Sequence, residues 1–180
     1  VFRENTEGLY MGIGGRFKAG TPDEIAIQEE INTYKGVHRI IRHAFEYAKA
    51  NGLTRVCMAD KSNAMQQGHA LWQRVYKEVA AEYPGITALH QYIDALAMFL
   101  VKDPGQYQVI VTNNLFGDIV TDIGGALQGG LGMAASGNLP PGKTSLFEPV
   151  HGSAPPLAGS TRSSPVSCAS FSTKGPSVAA

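Results

Sequence analysis

The chain has 180 residues, 43% of them hydrophobic, and its 15 basic and 15 acidic side chains leave a formal net charge of zero. Such balance offers no electrostatic footprint for nucleic acid or an anionic membrane surface, and no apolar run is long enough to span a bilayer. The two cysteines, Cys57 and Cys168, match neither a CxxC metal motif nor a disulfide framework. That pattern favours a reducing cytoplasm.

The chain starts at Val1, inside an apparent strand, so an upstream part is expected. Leu9 to Phe17 reads as a first extended stretch and Glu24 to Ile31 as a second, with turn chemistry in Gly20-Thr21-Pro22-Asp23 between them. Together they predict a two-stranded arm. An isolated hairpin is marginal in water, so this arm is expected to lie against another subunit. From Gly36 to Asn51 the apolar positions Val37, Ile40, Ile41, Ala44, Phe45 and Ala48 follow helical spacing, and Gly52 ends the run. Arg55 to Ala59 is a short buried strand containing Cys57, followed by a helix from about Gln67 to Tyr83 that Pro84-Gly85 stops. A strand over Ile86 to Ile93, a helix over Ala95 to Val101, a strand over Val109 to Val111 and a helix over Leu115 to Leu127 complete the alternation. This order predicts an α/β fold whose ligands collect where strands end. Residues 160 to 180 are rich in serine and without period, and are expected to be disordered or foreign to the fold.

The segment Asn114-Leu115-Phe116-Gly117-Asp118-Ile119-Val120-Thr121-Asp122 carries two aspartates at i and i+4. On a helix they share a face and repel, by about 0.2 to 0.5 kcal/mol if merely solvated. A hard cation such as Mg²⁺ or Mn²⁺ between them would reverse the sign. Other polar residues recur at predicted strand ends: Lys61 and Asn63, Asp94, and Asn114. Any one alone is most simply a cap or a solvated turn, but their recurrence weakens that explanation. Upstream, Arg3 offers a fork for carboxylate binding and Tyr10 a phenol. Downstream, Gly129-Gly130-Leu131-Gly132 precedes His151-Gly152-Ser153-Ala154-Pro155, where small residues let backbone amides approach a phosphate or an adenine ring. No GxGxxG follows a strand, so any dinucleotide is held otherwise than in the ordinary Rossmann fold.

Taken together, RENTEGLY at 3 to 10, DKSN at 60 to 63, Tyr92-Ile93-Asp94-Ala95, NLFGDIVTD, GGLG and EPVHGSAP resemble the metal-dependent β-decarboxylating dehydrogenases, the isocitrate/isopropylmalate dehydrogenase family. The likeness covers residues 1 to 159 in order. It implies a fragment of that family's two-domain α/β fold, with residues 1–128 as the smaller substrate, metal and dimerisation domain and 129–159 as a partial return into the larger cofactor domain. It further implies NAD-dependent oxidation of a 2-hydroxy acid followed by loss of CO₂, assisted by Mg²⁺ or Mn²⁺, in a homodimer with shared active sites. By the resemblance, Asp118 and Asp122 are metal ligands of one subunit and Asp94 is delivered by the second. Lys61 takes the hydroxyl proton, for which its pKa would have to be lowered, Tyr10 protonates the enolate, and Arg3 grips a substrate carboxylate. Asn63 lies near the nicotinamide, and His151, Gly152, Ser153 and Ala154 hold the adenosine half of the cofactor.

Two departures bear on this expectation. The family's long N-terminal segment is absent, so the chain as it stands is expected to be a poor catalyst or none. After His-Gly-Ser-Ala-Pro this chain has Pro156-Leu157, without the basic residue that a 2′-phosphate would call for, which favours NAD over NADP. Gly14-Gly15-Arg16-Phe17 resembles the isopropylmalate and tartrate type of member, making 3-isopropylmalate the expected substrate and isocitrate the runner-up. Homoisocitrate and tartrate dehydrogenases, and a noncatalytic subunit of a heteromeric isocitrate enzyme, are the remaining alternatives. The presence of Arg3, Tyr10, Lys61, Asp94, Asp118 and Asp122 together favours a catalytic ancestor.

Overall fold

In the computed structural model, which describes residues 1–130, 134–139 and 144–149, short apolar runs line up as a parallel sheet. Its strands are β1 (Phe2–Arg3), β4 (Arg55–Asp60), β5 (Thr87–Tyr92) and β6 (Val109–Thr112), in the order β1-β6-β4-β5. Central strands β4 and β6 are buried on both faces, as crossover helices require of parallel sheets. Their register pairs Val56 with Val109 and Met58 with Val111, so these four side chains share one face.

Helix α1 (Tyr34–Ala50) covers that face with Val37, Ile41, Ala44, Phe45 and Ala48, all fully buried. These are the expected positions at helical spacing, except that Ile40 is only partly buried. The Thr33 hydroxyl accepts the Gly36 amide at 3.0 Å to cap the N-terminus, and Gly52, at φ 65°, ends the helix. Helix α2 (Gln66–Ala80) adds Trp72, Val75, Tyr76 and Val79 to the same core. Replacing Phe45 or Trp72 by alanine is expected to cost about 3 to 5 kcal/mol through transfer and cavity terms. Helix α3 (Ile93–Lys102) buries Leu96 and Leu100, and helix α4 (Asn114–Leu127) follows β6. Cys57 is 2% exposed on β4, and burial pushes its thiol up to about 12.

The arm differs from expectation in one place. Leu9–Met11 form a 3₁₀ turn, and the first strand of the arm, β2, spans only Gly14–Phe17. Gly8 and Gly12, at φ 91° and 70°, take conformations that bend the chain out of an extended path. From Gly14 onward β2 pairs antiparallel with β3 (Ile25–Gln28), Phe17 opposite Ile25. Every residue of this hairpin is exposed, including Phe17 at 57%, Ile25 at 52% and Ile27 at 43%.

The chain divides into two compact units, Val1–Val120 and Thr121–Ala180. In the second, besides the later turns of α4, β7 (Ala135–Asn138) pairs antiparallel with β8 (Leu146–Pro149). Among the described residues, no helix is long and apolar enough to cross a membrane. The Ser-rich segment 160–180 lies outside the described residues.

Candidate active site

Because β1 and β6 run side by side with Arg3 opposite Thr112, the end of β1 and the start of α4 meet at one edge of the sheet. There the Arg3 guanidinium donates through Nε and Nη2 to Asn114 Oδ1, at 3.0 and 2.7 Å. Its Nη1 lies 2.8 Å from Asp118 Oδ1. The Tyr10 hydroxyl donates to the other carboxylate oxygen, Asp118 Oδ2, at 3.1 Å, while its ring lies 5.6 Å from the guanidinium carbon. Local desolvation first, and then the Asp118 carboxylate, push the Tyr10 phenol above its ordinary value, with Arg3 opposing. Gly117 makes this packing possible: a β-carbon there would stand 2.5 Å from Arg3 Cγ.

The loop between Arg3 and Tyr10 is held by its own acidic residues. Glu4, 3% exposed, accepts the amides of Thr6 and Glu7 on Oε2, and the Thr6 hydroxyl and Arg39 Nη2 on Oε1. Glu7 accepts the amide and hydroxyl of Thr33 at 2.7 and 2.8 Å, pinning the loop to the start of α1. The Glu7 carbonyl accepts Asn114 Nδ2 at 2.8 Å, so Asn114 is bound on both of its side-chain atoms. RENTEGLY is therefore largely a scaffold for Arg3 and Tyr10.

A second cluster stands where β4 and β5 end, in a register that pairs Asp60 with Tyr92. Lys61 Nζ lies 2.7 Å from Asp94 Oδ1. The hydrogen bond from Lys61, then the α3 backbone amide, hold the exposed Asp94 carboxyl below its usual range. Asp60, 1% exposed, anchors the turn: Oδ1 accepts the Ser62 amide at 3.0 Å and faces His90 Nε2 at 2.9 Å, and Oδ2 accepts Gln73 Nε2 at 2.6 Å. Asn63 sits in the exposed turn that follows Lys61.

Arg3, Tyr10, Asn114 and Asp118 thus converge, and Lys61 and Asp94 form a separate pair. Asp122 is exposed one turn beyond Asp118 on α4. Among the described residues, no group of three acidic, histidine or cysteine side chains is placed to hold a metal ion. Asp94, Asp118 and Asp122 are therefore not gathered into such a set within one chain. His151, Gly152, Ser153 and Ala154 lie outside the described residues. The supporting residues Glu4, Glu7, Asp60, His69 and Asn113 were not singled out from sequence. A polar side chain on the apolar stripe of a helix, as with His69 three residues before Trp72, was the available signal.

A family model described as Isocitrate/isopropylmalate dehydrogenase matches residues 1–172, so the chain belongs to that family. It is 49% identical over 161 residues to a 3-isopropylmalate dehydrogenase of Frankia casuarinae, covering 88% of this chain and 47% of that protein. A 3-isopropylmalate dehydrogenase of Thermobifida fusca is 48% identical over 167 residues, covering 92% of this chain and 47% of that protein. The crystal structure of isocitrate dehydrogenase from Methylococcus capsulatus superposes with a TM-score of 0.85 at 40% identity, covering 92% of this chain and 48% of that one. The chain spans about half the length of the curated relatives it matches.

Proposed function

We propose that the whole protein carrying this chain is an NAD-dependent dehydrogenase that oxidises and decarboxylates 3-isopropylmalate with a divalent metal ion. The observation that carries the reading is the convergence of Arg3 and Tyr10 on Asp118, in a chain about half identical to proteins named for that substrate. Isocitrate is the second choice, supported by the resemblance to the Methylococcus enzyme.

The donor set suits a hard cation: α4 presents Asp118 and Asp122 at helical spacing, both carboxylates at least partly exposed. A divalent ion held by Asp118 and Asp122 would supply Lewis-acid polarisation of the substrate, and NAD would supply the hydride acceptor. Arg3, with its planar fork, binds a substrate carboxylate. Lys61 accepts the hydroxyl proton, and Tyr10 holds a proton for the enolate carbon. A phenol holds its proton at neutral pH from its ordinary value of 10.0, and the upward direction of the shift here leaves that unchanged. A lysine acts as a base only as the free amine, so Asp94, 2.7 Å from Lys61 Nζ, would have to leave it to serve as the third metal ligand before Lys61 takes the proton.

The separation of the two clusters and the exposure of the β2-β3 hairpin support a homodimer in which Lys61 and Asp94 of one subunit complete the Arg3, Tyr10, Asp118 and Asp122 set of the other. The test is NADH formation by the whole protein with Mg²⁺ and each of 3-isopropylmalate, isocitrate, homoisocitrate and tartrate. Turnover of 3-isopropylmalate well above the others bears the reading out. A folded dimer that turns over none of them leaves it a noncatalytic subunit.

A further inference from the structure

The Lys61 main chain is hydrogen-bonded to a buried histidine that the proposed chemistry does not use. His69 lies in the first turn of α2 and is 0% exposed. Its Nδ1 accepts the Lys61 backbone amide at 2.8 Å. An amide N–H can only donate, so Nδ1 carries the lone pair and the proton of the neutral ring sits on Nε2. That side of the ring faces Glu30 Oε2 at 3.5 Å, on the segment returning from the arm. Asn113 Nδ2 lies 3.3 Å from Nε2 and donates to Glu30 Oε1 at 2.8 Å, while Asn113 Oδ1 accepts the Phe116 amide to cap α4. The edge of the Phe116 ring closes the site, with centroids 5.6 Å apart. One imidazole therefore joins the lysine turn, the arm and the start of α4.

We propose that His69 is the positioning residue for Lys61, fixing the lysine's backbone through Nδ1 while Glu30 and Asn113 fix the ring from the other side. The proposal rests on the reading of Lys61 as the proton acceptor. The Lys61 carbonyl is already taken by the amides of Ala64 and Met65, at 2.9 and 2.8 Å, so with His69 in place both polar groups of its main chain are bound. Without the imidazole the Lys61 amide loses its acceptor, and the base of the side chain shifts relative to the substrate. A displacement of about 1 Å costs roughly a hundredfold in rate.

The test compares His69→Leu, His69→Asn and His69→Gln in the whole protein with Mg²⁺, NAD and 3-isopropylmalate, alongside Lys61→Met. Asparagine can place its oxygen where Nδ1 sits, whereas the glutamine amide reaches the Nε2 position. The expected result is a kcat roughly a hundredfold lower for Leu and Gln with KM within about threefold, and recovery to within about tenfold of wild type for Asn. Hydrogen exchange at the Lys61 amide should accelerate in Gln and not in Asn, with the β4 and β6 amides unchanged. If the leucine variant does not fold, the Asn and Gln pair decides. Equal kcat in that pair overturns the proposal, as does wild-type turnover of both Leu and Gln when Lys61→Met is dead. Full turnover by Lys61→Met overturns the assignment of Lys61 itself, and the proposal with it.

Discussion

Arg3 and Asp118, 115 positions apart in the chain, are bridged by Nη1 and Oδ1 at 2.8 Å. The two groups serve different partners in the proposed reaction, a substrate carboxylate and a cation, so the ion pair competes with both. Their side chains are 31% and 48% exposed, which limits such a pair to about 0 to 1 kcal/mol. Arg3→Met is therefore expected to leave Mn²⁺ affinity unchanged or tighten it by no more than about fivefold while abolishing turnover. Asp118→Asn is expected to lose the ion. Titration calorimetry of the two variants separates these outcomes, and unaltered Mn²⁺ binding by Asp118→Asn would remove the metal assignment.

Gly117→Ala should act on Arg3 without touching its charge. The new methyl would stand 2.5 Å from Arg3 Cγ and 2.8 Å from its Cβ, atoms too near the backbone to swing aside. Overpacking of this kind costs about 1 to 3 kcal/mol, so the urea midpoint should fall. KM for the hydroxy acid should rise as the guanidinium is displaced. A variant of wild-type stability and KM would show that β1 and α4 can separate freely.

Glu30 links stability to pH. Burial pushes its carboxyl up, but the hydrogen bond from His69 and the amides around it outweigh that and hold it below its ordinary 4.5. A folded value below the unfolded one means that the carboxylate contributes stability above about pH 4.5, and that this contribution is lost as the pH falls through the folded value. The difference in urea midpoint between wild type and Glu30→Gln should be full at pH 7 and close below pH 4.5. A difference independent of pH would mean that Glu30 acts through shape alone.

Ile27→Lys probes the arm. Ile27 is 43% exposed within the subunit, so its replacement should leave the thermal stability of the α1-α2 core within about 0.5 kcal/mol. At an interface between subunits the same lysine would be buried without a partner, and sedimentation should show a shift from dimer to monomer. A dimer of unchanged affinity would place the subunit contact elsewhere.

Helical spacing of Val37, Ile41, Ala44, Phe45 and Ala48 was enough to place α1, and the alternation of runs was enough for a parallel α/β sheet, because each pattern reflects one face turned to one core. The extended reading of Leu9 to Met11 failed because Gly8 and Gly12 permit, but do not announce, positive φ. Arg3, Tyr10, Lys61, Asp94 and Asp118 were legible as candidates from their residue types and motifs. The resemblance already set Asp94 apart from Asp118 and Asp122, but the pairing of Lys61 with Asp94 and the meeting of Arg3 and Tyr10 at Asp118 were not legible, nor were the supports Glu4, Asp60 and His69. By itself, then, the sequence determined most of the elements and offered the candidate side chains, since both follow from local periodicity and residue type. Tertiary structure alone decided which of those side chains meet, because β1 lies beside β6, and β4 beside β5, through hydrogen bonds between segments more than 30 residues apart.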